Sequence, residues 1–111
     1  MTTTLGSRAA ADELAAALVE QRLAACAQVV GPVSSTYRWQ GAVEEAEEWY
    51  CHAKTTRALQ DAVTRAIRAR HSYELPEILS APLAGSAEYL AWIADSVVPP
   101  APNSTPTPEA P

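Results

Sequence analysis

Two stretches of the chain repeat their apolar residues with the spacing of an amphipathic helix. The first begins at Ser7, a favourable N-cap, and runs to about Leu23 through a sequence rich in Ala, Leu and Glu, all residues of high helix propensity. The second has Thr55 or Thr56 as its predicted cap and places apolar residues at i, i+3, i+4 and i+7 as far as Arg70. The pattern therefore predicts two helices, each with one face in the core.

Between these helices the apolar and polar residues alternate, which is the period of a β-strand. Ala25–Val30 predicts a strand that bends at Gly31-Pro32, because proline cannot donate to a β-ladder. Residues 33–54 predict a hairpin that turns at Gln40-Gly41. The alternation sends the side chains of its return arm to opposite faces of the sheet. One set is Trp49, Cys51 and Ala53, and the other is Tyr50, His52 and Lys54.

The return arm also carries Glu44, Glu45, Glu47 and Glu48. Charged residues on an edge strand discourage pairing with other chains. We therefore predict that this acidic arm is exposed to solvent.

The two ends of the chain complete the pattern. Met1–Thr4 resembles the end of a strand, and Glu77–Ala81 predicts a short strand that stops at Pro82. Ser86 is a favourable cap for a third helix. The packing face predicted for that helix consists of Tyr89, Leu90, Trp92 and Ile93. The order strand, helix, strand, strand, helix, strand, helix predicts an α+β fold. It is a ferredoxin-like βαββαβ sandwich with an added C-terminal helix.

Composition limits the functions open to this fold. A chain of 111 residues fits one domain, which we place at residues 1–98. Residues 99–111 are proline-rich without a large apolar residue and predict a disordered tail. The net charge of −5 argues against nucleic acid as a partner, and no apolar run suits a membrane helix. The sequence contains no secretion signal and no motif for an organic cofactor. It also contains no nucleophile spaced with a base, so we do not predict an enzyme.

Two cysteines are too few for a disulfide framework. Cys26 and Cys51 therefore predict reduced thiols in a cytosolic protein, with one bridge left open as the alternative.

Five stretches, in this order and spacing, resemble the CutA family of divalent-cation tolerance proteins, and the resemblance covers about residues 2–98. They are Leu18-Val-Glu-Gln-Arg-Leu-Ala-Ala-Cys26, Tyr37-Arg-Trp-Gln-Gly41, Lys54-Thr-Thr56, His71-Ser-Tyr-Glu-Leu-Pro-Glu-Ile78 and Tyr89-Leu-Ala-Trp92. The resemblance implies a cytoplasmic homotrimer, similar in architecture to PII-type signalling proteins. It also implies a role in tolerance of copper and other divalent cations, with no established catalytic reaction.

The chain departs from that family in two places. Members usually carry several residues ahead of the position of Thr2, so the first strand is expected to be truncated. Some members place Cys at the position of Thr3 and His at the position of Arg70, where they are assigned to copper together with the next His. Of that set, only His71 is present here.

His71 is therefore the metal ligand predicted from the sequence, for Cu²⁺ or another divalent cation, because neutral imidazole suits copper and zinc. Cu²⁺ takes about four N or O donors, so one imidazole predicts weak binding. The alternative interpretation is a hydrogen-bonded histidine in a subunit cleft, without a metal.

A second predicted site is a small-ligand cleft between subunits. Lys54, the only lysine, lies just before the second helix, and a cation at a helix N-terminus favours anions. Tyr73, Glu77 and His71 are expected in the same cleft, with Tyr37 and Trp39 as its walls. Its function would be PII-like ligand sensing or protein interaction without a physiological metal. The alternative is that these residues only hold the trimer together.

Overall fold

The computed structural model describes residues 1–99, so nearly all of the predicted proline-rich tail lies outside the described residues. The strands are β1 (Thr2–Leu5), β2 (Cys26–Trp39) and β3 (Ala42–Lys54). The helices are α1 (Arg8–Glu20), α2 (Gln60–Arg70) and α3 (Ala87–Ser96), with a 3₁₀ turn at Arg57–Leu59 leading into α2. This order agrees with the prediction except after α2.

The sheet has the antiparallel order β1-β3-β2. On its free side β1 meets Leu79 in an isolated bridge, in which Thr2 N–H donates to Leu79 O at 2.8 Å and Leu79 N–H to Thr2 O at 3.0 Å. The predicted strand Glu77–Ala81 is therefore reduced to one bridge. Pro76 and Pro82 flank this segment and lack the N–H that a longer ladder needs. β1 thus lies between β3 and the bridge, and the predicted ferredoxin-like α+β fold is confirmed.

The hairpin of β2 and β3 forms as predicted. Trp39 pairs with Ala42 across a two-residue turn, in which Gln40 and Gly41 have φ of 51° and 84°. Positive φ at both central residues is typical of a tight hairpin turn. The bend at Gly31-Pro32 does not end β2; it is a register shift within one continuous strand.

The core lies between one face of this sheet and the helices α1 and α2. Leu14 and Leu18 of α1 and Val63 and Ile67 of α2 are fully buried, together with Cys51 of β3. Burial of apolar side chains at helical spacing is the main stabilising term for such a layer. The core therefore fixes the position of β3. This strand carries Lys54, one of the residues predicted for the ligand cleft.

Two of the three predicted helix caps form, and one does not. Ser7 accepts a hydrogen bond of 3.1 Å from Ala10 N–H, and Ser86 one of 3.2 Å from Tyr89 N–H. Thr56 precedes the 3₁₀ turn with extended backbone but makes no side-chain cap bond. The hydroxyl of Thr55 instead donates to Leu23 O at 2.6 Å. The predicted side-chain cap is therefore not formed, because the Thr55 hydroxyl binds the turn that follows α1.

The predicted packing face of α3 is mostly uncovered. Ile93 is buried, but Tyr89, Leu90 and Trp92 retain between 40% and 46% exposure. Three leucines before α3 are more exposed still: Leu75, Leu79 and Leu83. Of the four residues predicted for the packing face, only Ile93 is covered by other residues of the range 1–99.

Candidate functional site

His71 is held by hydrogen bonds at both ring nitrogens, just after the end of α2. Its Nε2 lies 2.7 Å from the carbonyl oxygen of Thr4, and Nδ1 accepts a bond of 3.2 Å from Tyr73 N–H. A carbonyl only accepts, so the proton belongs on Nε2 and the lone pair on Nδ1. The tertiary structure therefore selects one tautomer and one ring orientation for this imidazole.

Tyr73 connects His71 to the sheet. Its ring contacts the imidazole at a centroid distance of 4.6 Å, and its hydroxyl donates to Glu48 Oε2 at 2.8 Å. Burial, together with the hydrogen bond and charge of Glu48, raises the pKa of Tyr73 to about 12. The phenol therefore stays protonated and able to donate at physiological pH.

Glu48 corrects the prediction of a wholly solvent-exposed acidic arm. Its residue exposure is only 8%, whereas Glu44, Glu45 and Glu47 are exposed. Its partner Tyr73 lies 25 residues away in sequence, so no local pattern distinguishes this glutamate from its neighbours. Sequence reasoning missed Glu48 as a site residue for that reason.

The residues predicted for the ligand cleft do not all meet in one chain. Tyr37 pairs with Glu44 near the hairpin tip, and Lys54 ends β3 opposite Cys26. At ~3.3 Å per residue, the stretch of β3 between these two positions spans roughly 30 Å. Trp39 is farther still from Lys54, at the tip itself. Any cleft that contains all of these side chains must therefore draw them from different subunits.

Within one chain, His71 is the predicted cleft residue that contacts Tyr73. The phenol of Tyr37 adds to the raised pKa of Tyr73, after burial and Glu48. Glu77 is half-buried two residues before the Leu79 bridge to β1. Lys54 belongs to a different region, where its ammonium donates to Gln28 Oε1 at 2.6 Å.

The donors for a metal ion are few within one chain. Residues 1–99 contain no group of three or more His, Cys, Asp or Glu side chains placed to hold an ion. The second imidazole, His52, has its Nδ1 2.9 Å from Thr2 Oγ1 and stacks on Tyr50. Neither imidazole belongs to a donor cluster within residues 1–99, so one chain falls short of a four-donor Cu²⁺ site.

The cysteines are free thiols in different surroundings. Cys51 is buried and Cys26 half-buried. Burial raises the pKa of Cys51 to about 11, which disfavours the thiolate that would bind a metal. Thr3 pairs with Cys51 in the sheet register, and its buried hydroxyl has no hydrogen-bond partner within the described residues.

A family model described as "CutA1 divalent ion tolerance protein" matches residues 1–96. The chain is 42% identical over 94 residues to the divalent-cation tolerance protein CutA of Thermus thermophilus, covering 84% of this chain and 91% of that one. It is 34% identical to the chloroplastic CutA of Arabidopsis thaliana, again over 84% of this chain but 52% of the relative.

Solved structures agree with these sequence matches. The divalent cation tolerance protein of Thermus thermophilus superimposes with a TM-score of 0.84 at 40% identity, covering 87% of this chain and 95% of that one. A structure described as the periplasmic divalent cation tolerance protein CutA of Archaeoglobus fulgidus gives 0.84 at 34% identity, covering 87% and 95% of the two chains. The likeness therefore extends over most of the described residues.

These comparisons correct the predicted cytoplasmic location. One structural neighbour is described as periplasmic and a plant relative as chloroplastic. The resemblance therefore does not place this chain in the cytoplasm. Among residues 1–99, no helix has the length and apolar character needed to cross a bilayer.

Proposed function

Because this chain belongs to the CutA1 divalent ion tolerance family, we propose that it acts in tolerance of divalent cations and binds Cu²⁺ weakly through His71. The observation that supports this site is the 2.7 Å bond from His71 Nε2 to Thr4 O. A metal-binding histidine commonly donates its other ring N–H to a carbonyl in this way, which fixes the ring and raises the basicity of the free nitrogen. Nδ1 is then the ligand atom.

The same geometry supports weak rather than tight binding. Nδ1 already accepts the 3.2 Å bond from Tyr73 N–H, which a cation must displace. The remaining donors of the ion must be water or groups from another copy of the chain, since residues 1–99 hold no cluster of three or more donors. The role proposed is binding and not catalysis.

We also propose a homotrimer, assembled through the exposed apolar side chains of α3 and the segment before it. Leu75, Leu83 and Trp92 expose 72%, 70% and 46% of their surface in one chain. Several large apolar side chains close together on the surface of a soluble protein mark an interaction site. The family resemblance implies that a second and a third copy of the chain cover this surface.

A second candidate function is a PII-like small-ligand module that uses a cleft between subunits. The contact of His71 with Tyr73 supports part of the predicted cleft. Glu77 lies beside the β1 edge of the sheet, and Trp39 and Lys54 would come from neighbouring copies. In this case a small molecule, and not a metal ion, would be the physiological ligand.

Growth in copper tests the first proposal. A bacterial strain that lacks its own CutA protein is complemented with this chain or with its His71→Gln variant and grown over a range of copper concentrations. We expect the wild-type chain to restore growth and the variant to restore it less, at equal protein levels. Equal rescue by both would remove His71 from the function, and no rescue by either would count against the tolerance role itself.

A further inference from the structure

Glu44 lies on the face of β3 that points away from the helices. Cys51 and Ala53 of this strand are buried in the core that the helices cover. Because side chains alternate along a strand, the even-numbered residues of β3 project from the opposite face, which we call the outer face. Glu44 is therefore on the outer face, whereas its neighbour Glu45 is on the same face as the core residues. The two adjacent carboxylates thus point to opposite sides of the sheet.

Tyr37 and Glu44 are direct partners in the register of β2 and β3. Residues directly opposite each other in an antiparallel pair project to the same side, with Cβ atoms ~4.5–5.5 Å apart. Tyr37 is one of the residues predicted to form a wall of the cleft between subunits. A subunit cleft that contains the Tyr37 side chain therefore contains the Glu44 carboxylate as well.

The neighbours of Glu44 on the outer face are uncharged. Ala42 and Ala46 flank it along β3, and their partners on β2 are Trp39 and Ser35. A carboxylate that is covered by another subunit loses its hydration, which is costly unless a cation replaces the water. In an assembled trimer, the outer face therefore requires a positively charged group beside Glu44.

His71 lies far from Glu44 within one chain. Its Nε2 is bonded to the carbonyl oxygen of Thr4, and Thr4 pairs with Tyr50 of β3. The stretch of β3 from Glu44 to Tyr50 spans roughly 20 Å at ~3.3 Å per residue. Two donors of one ion lie within about 4 Å of each other, because each is ~2 Å from the metal. Glu44 and His71 can therefore share an ion only across a subunit boundary.

We propose that Glu44 of one copy and His71 of a neighbouring copy are ligands of the same Cu²⁺ ion in the cleft between subunits. The imidazole supplies Nδ1, the carboxylate supplies oxygen, and such mixed N and O donors suit Cu²⁺. The ion in turn supplies the positive charge that a covered Glu44 requires. This inference rests on the proposed binding of Cu²⁺ by His71, and it identifies one of the donors that another copy contributes.

Calorimetric titration of the protein with Cu²⁺ compares Glu44→Gln with Glu45→Gln. Both variants remove one negative charge at adjacent positions, but only the first removes it from the outer face. We expect Glu44→Gln to weaken Cu²⁺ binding by about tenfold or more and Glu45→Gln to change it less than about twofold, where tenfold corresponds to ~1.4 kcal/mol. Equal affinities of the two variants for Cu²⁺ would overturn the inference.

His71→Gln, titrated in parallel, separates a failure of this inference from a failure of the proposed function. Loss of Cu²⁺ binding in His71→Gln with full binding in Glu44→Gln would keep the imidazole as a ligand and overturn the role of the carboxylate. Full binding in both variants would overturn the proposed function and the inference together. Light scattering of metal-free Glu44→Gln adds a check on assembly. A lower mass than the wild type would mean that Glu44 pairs with a cationic side chain at the interface, which would also overturn the inference.

Mixed trimers test whether the two ligands come from different copies. Glu44→Gln and His71→Gln chains are co-expressed, so that some clefts combine His71 of the first chain with Glu44 of the second. For random mixing of equal amounts in a ring of three, about a quarter of the clefts regain both ligands. We expect wild-type affinity for Cu²⁺ to return in that fraction of sites and in neither variant alone. No recovery in the mixture would overturn the inference.

Discussion

The hydroxyl of Tyr73 donates a hydrogen bond of 2.8 Å to Oε2 of Glu48, a residue with only 8% exposure. This bond joins the connection after α2 to β3, and the neighbouring Tyr73 N–H holds the ring of His71. A buried carboxylate requires a donor to offset the loss of its hydration. The orientation of the one imidazole at the site is therefore coupled to a buried carboxylate on the sheet.

Tyr73→Phe should destabilise the protein, because it leaves the Glu48 carboxylate buried without this donor. We expect the free energy of unfolding in urea to fall by ~1–3 kcal/mol. Glu48→Gln is the matched change, since its amide oxygen still accepts from Tyr73. In a double-mutant cycle of Tyr73→Phe with Glu48→Leu, which removes the acceptor, a coupling energy near zero would contradict the role assigned to this bond.

Cys51 should make stability depend on alkaline pH. Burial raises the pKa of its thiol to about 11 from about 9, so the folded state binds this proton more tightly than the unfolded state. The resulting stabilisation is complete below pH 9 and is lost as the pH rises through the folded pKa near 11. We expect the free energy of unfolding to decline over that interval.

Cys51→Ala should reduce the decline, whereas Cys26→Ala should preserve it because Cys51 remains. Alkylation of the native protein by iodoacetamide at neutral pH gives a second readout, since the thiolate is the reactive form. We expect Cys51 to be protected. Rapid labelling of Cys51 in the folded protein would show that its thiol is neither buried nor held protonated.

Gly31 should tolerate no side chain. A Cβ at this position would lie 2.6 Å from Trp49 Cδ1 and 3.1 Å from the carbonyl oxygen of Glu48, so Gly31→Ala forces the register shift in β2 to open. We expect a loss of ~1–3 kcal/mol in the free energy of unfolding. Gly85→Ala is the control, because its Cβ would meet Leu90 at an ordinary 3.7 Å. Equal stability of the two variants would contradict the close packing at Gly31.

The apolar face of α3 should control assembly. We expect light scattering to give a mass three times the chain mass of 11.8 kDa, and Trp92→Glu to shift it toward the monomer because a charge is costly in a buried interface. Val19→Glu changes a similarly exposed apolar residue on α1 and should leave the mass unchanged. A monomeric wild-type protein would contradict the proposed assembly.

Much of the fold could be predicted because its signals are local. Helical spacing with Ser7 and Ser86 as caps located α1 and α3, and Gln40-Gly41 located the hairpin turn. The segment around Leu79 was predicted as a strand because it is apolar and bounded by prolines. Those same prolines limit it to a single bridge, since pairing depends on which N–H groups are available.

The site was less predictable because its contacts join distant parts of the chain. His71 was identified as a candidate residue, but its bond to Thr4 spans 67 residues and its tautomer depends on that bond. Glu48 resembles its exposed neighbours until the fold brings Tyr73 over it. Lys54 was expected beside Tyr37, yet the length of β3 separates them within one chain.

Electron paramagnetic resonance of Cu²⁺ added to the intact chain tests the central proposal most directly. Three proteins are compared at equal concentration: wild type, His71→Gln and, as the matched control, His52→Gln. We predict nitrogen hyperfine coupling from one imidazole in the wild type, its loss in His71→Gln and its retention in His52→Gln, with weak, millimolar-to-micromolar affinity. An unchanged spectrum in His71→Gln would contradict the proposal that this imidazole binds the cation.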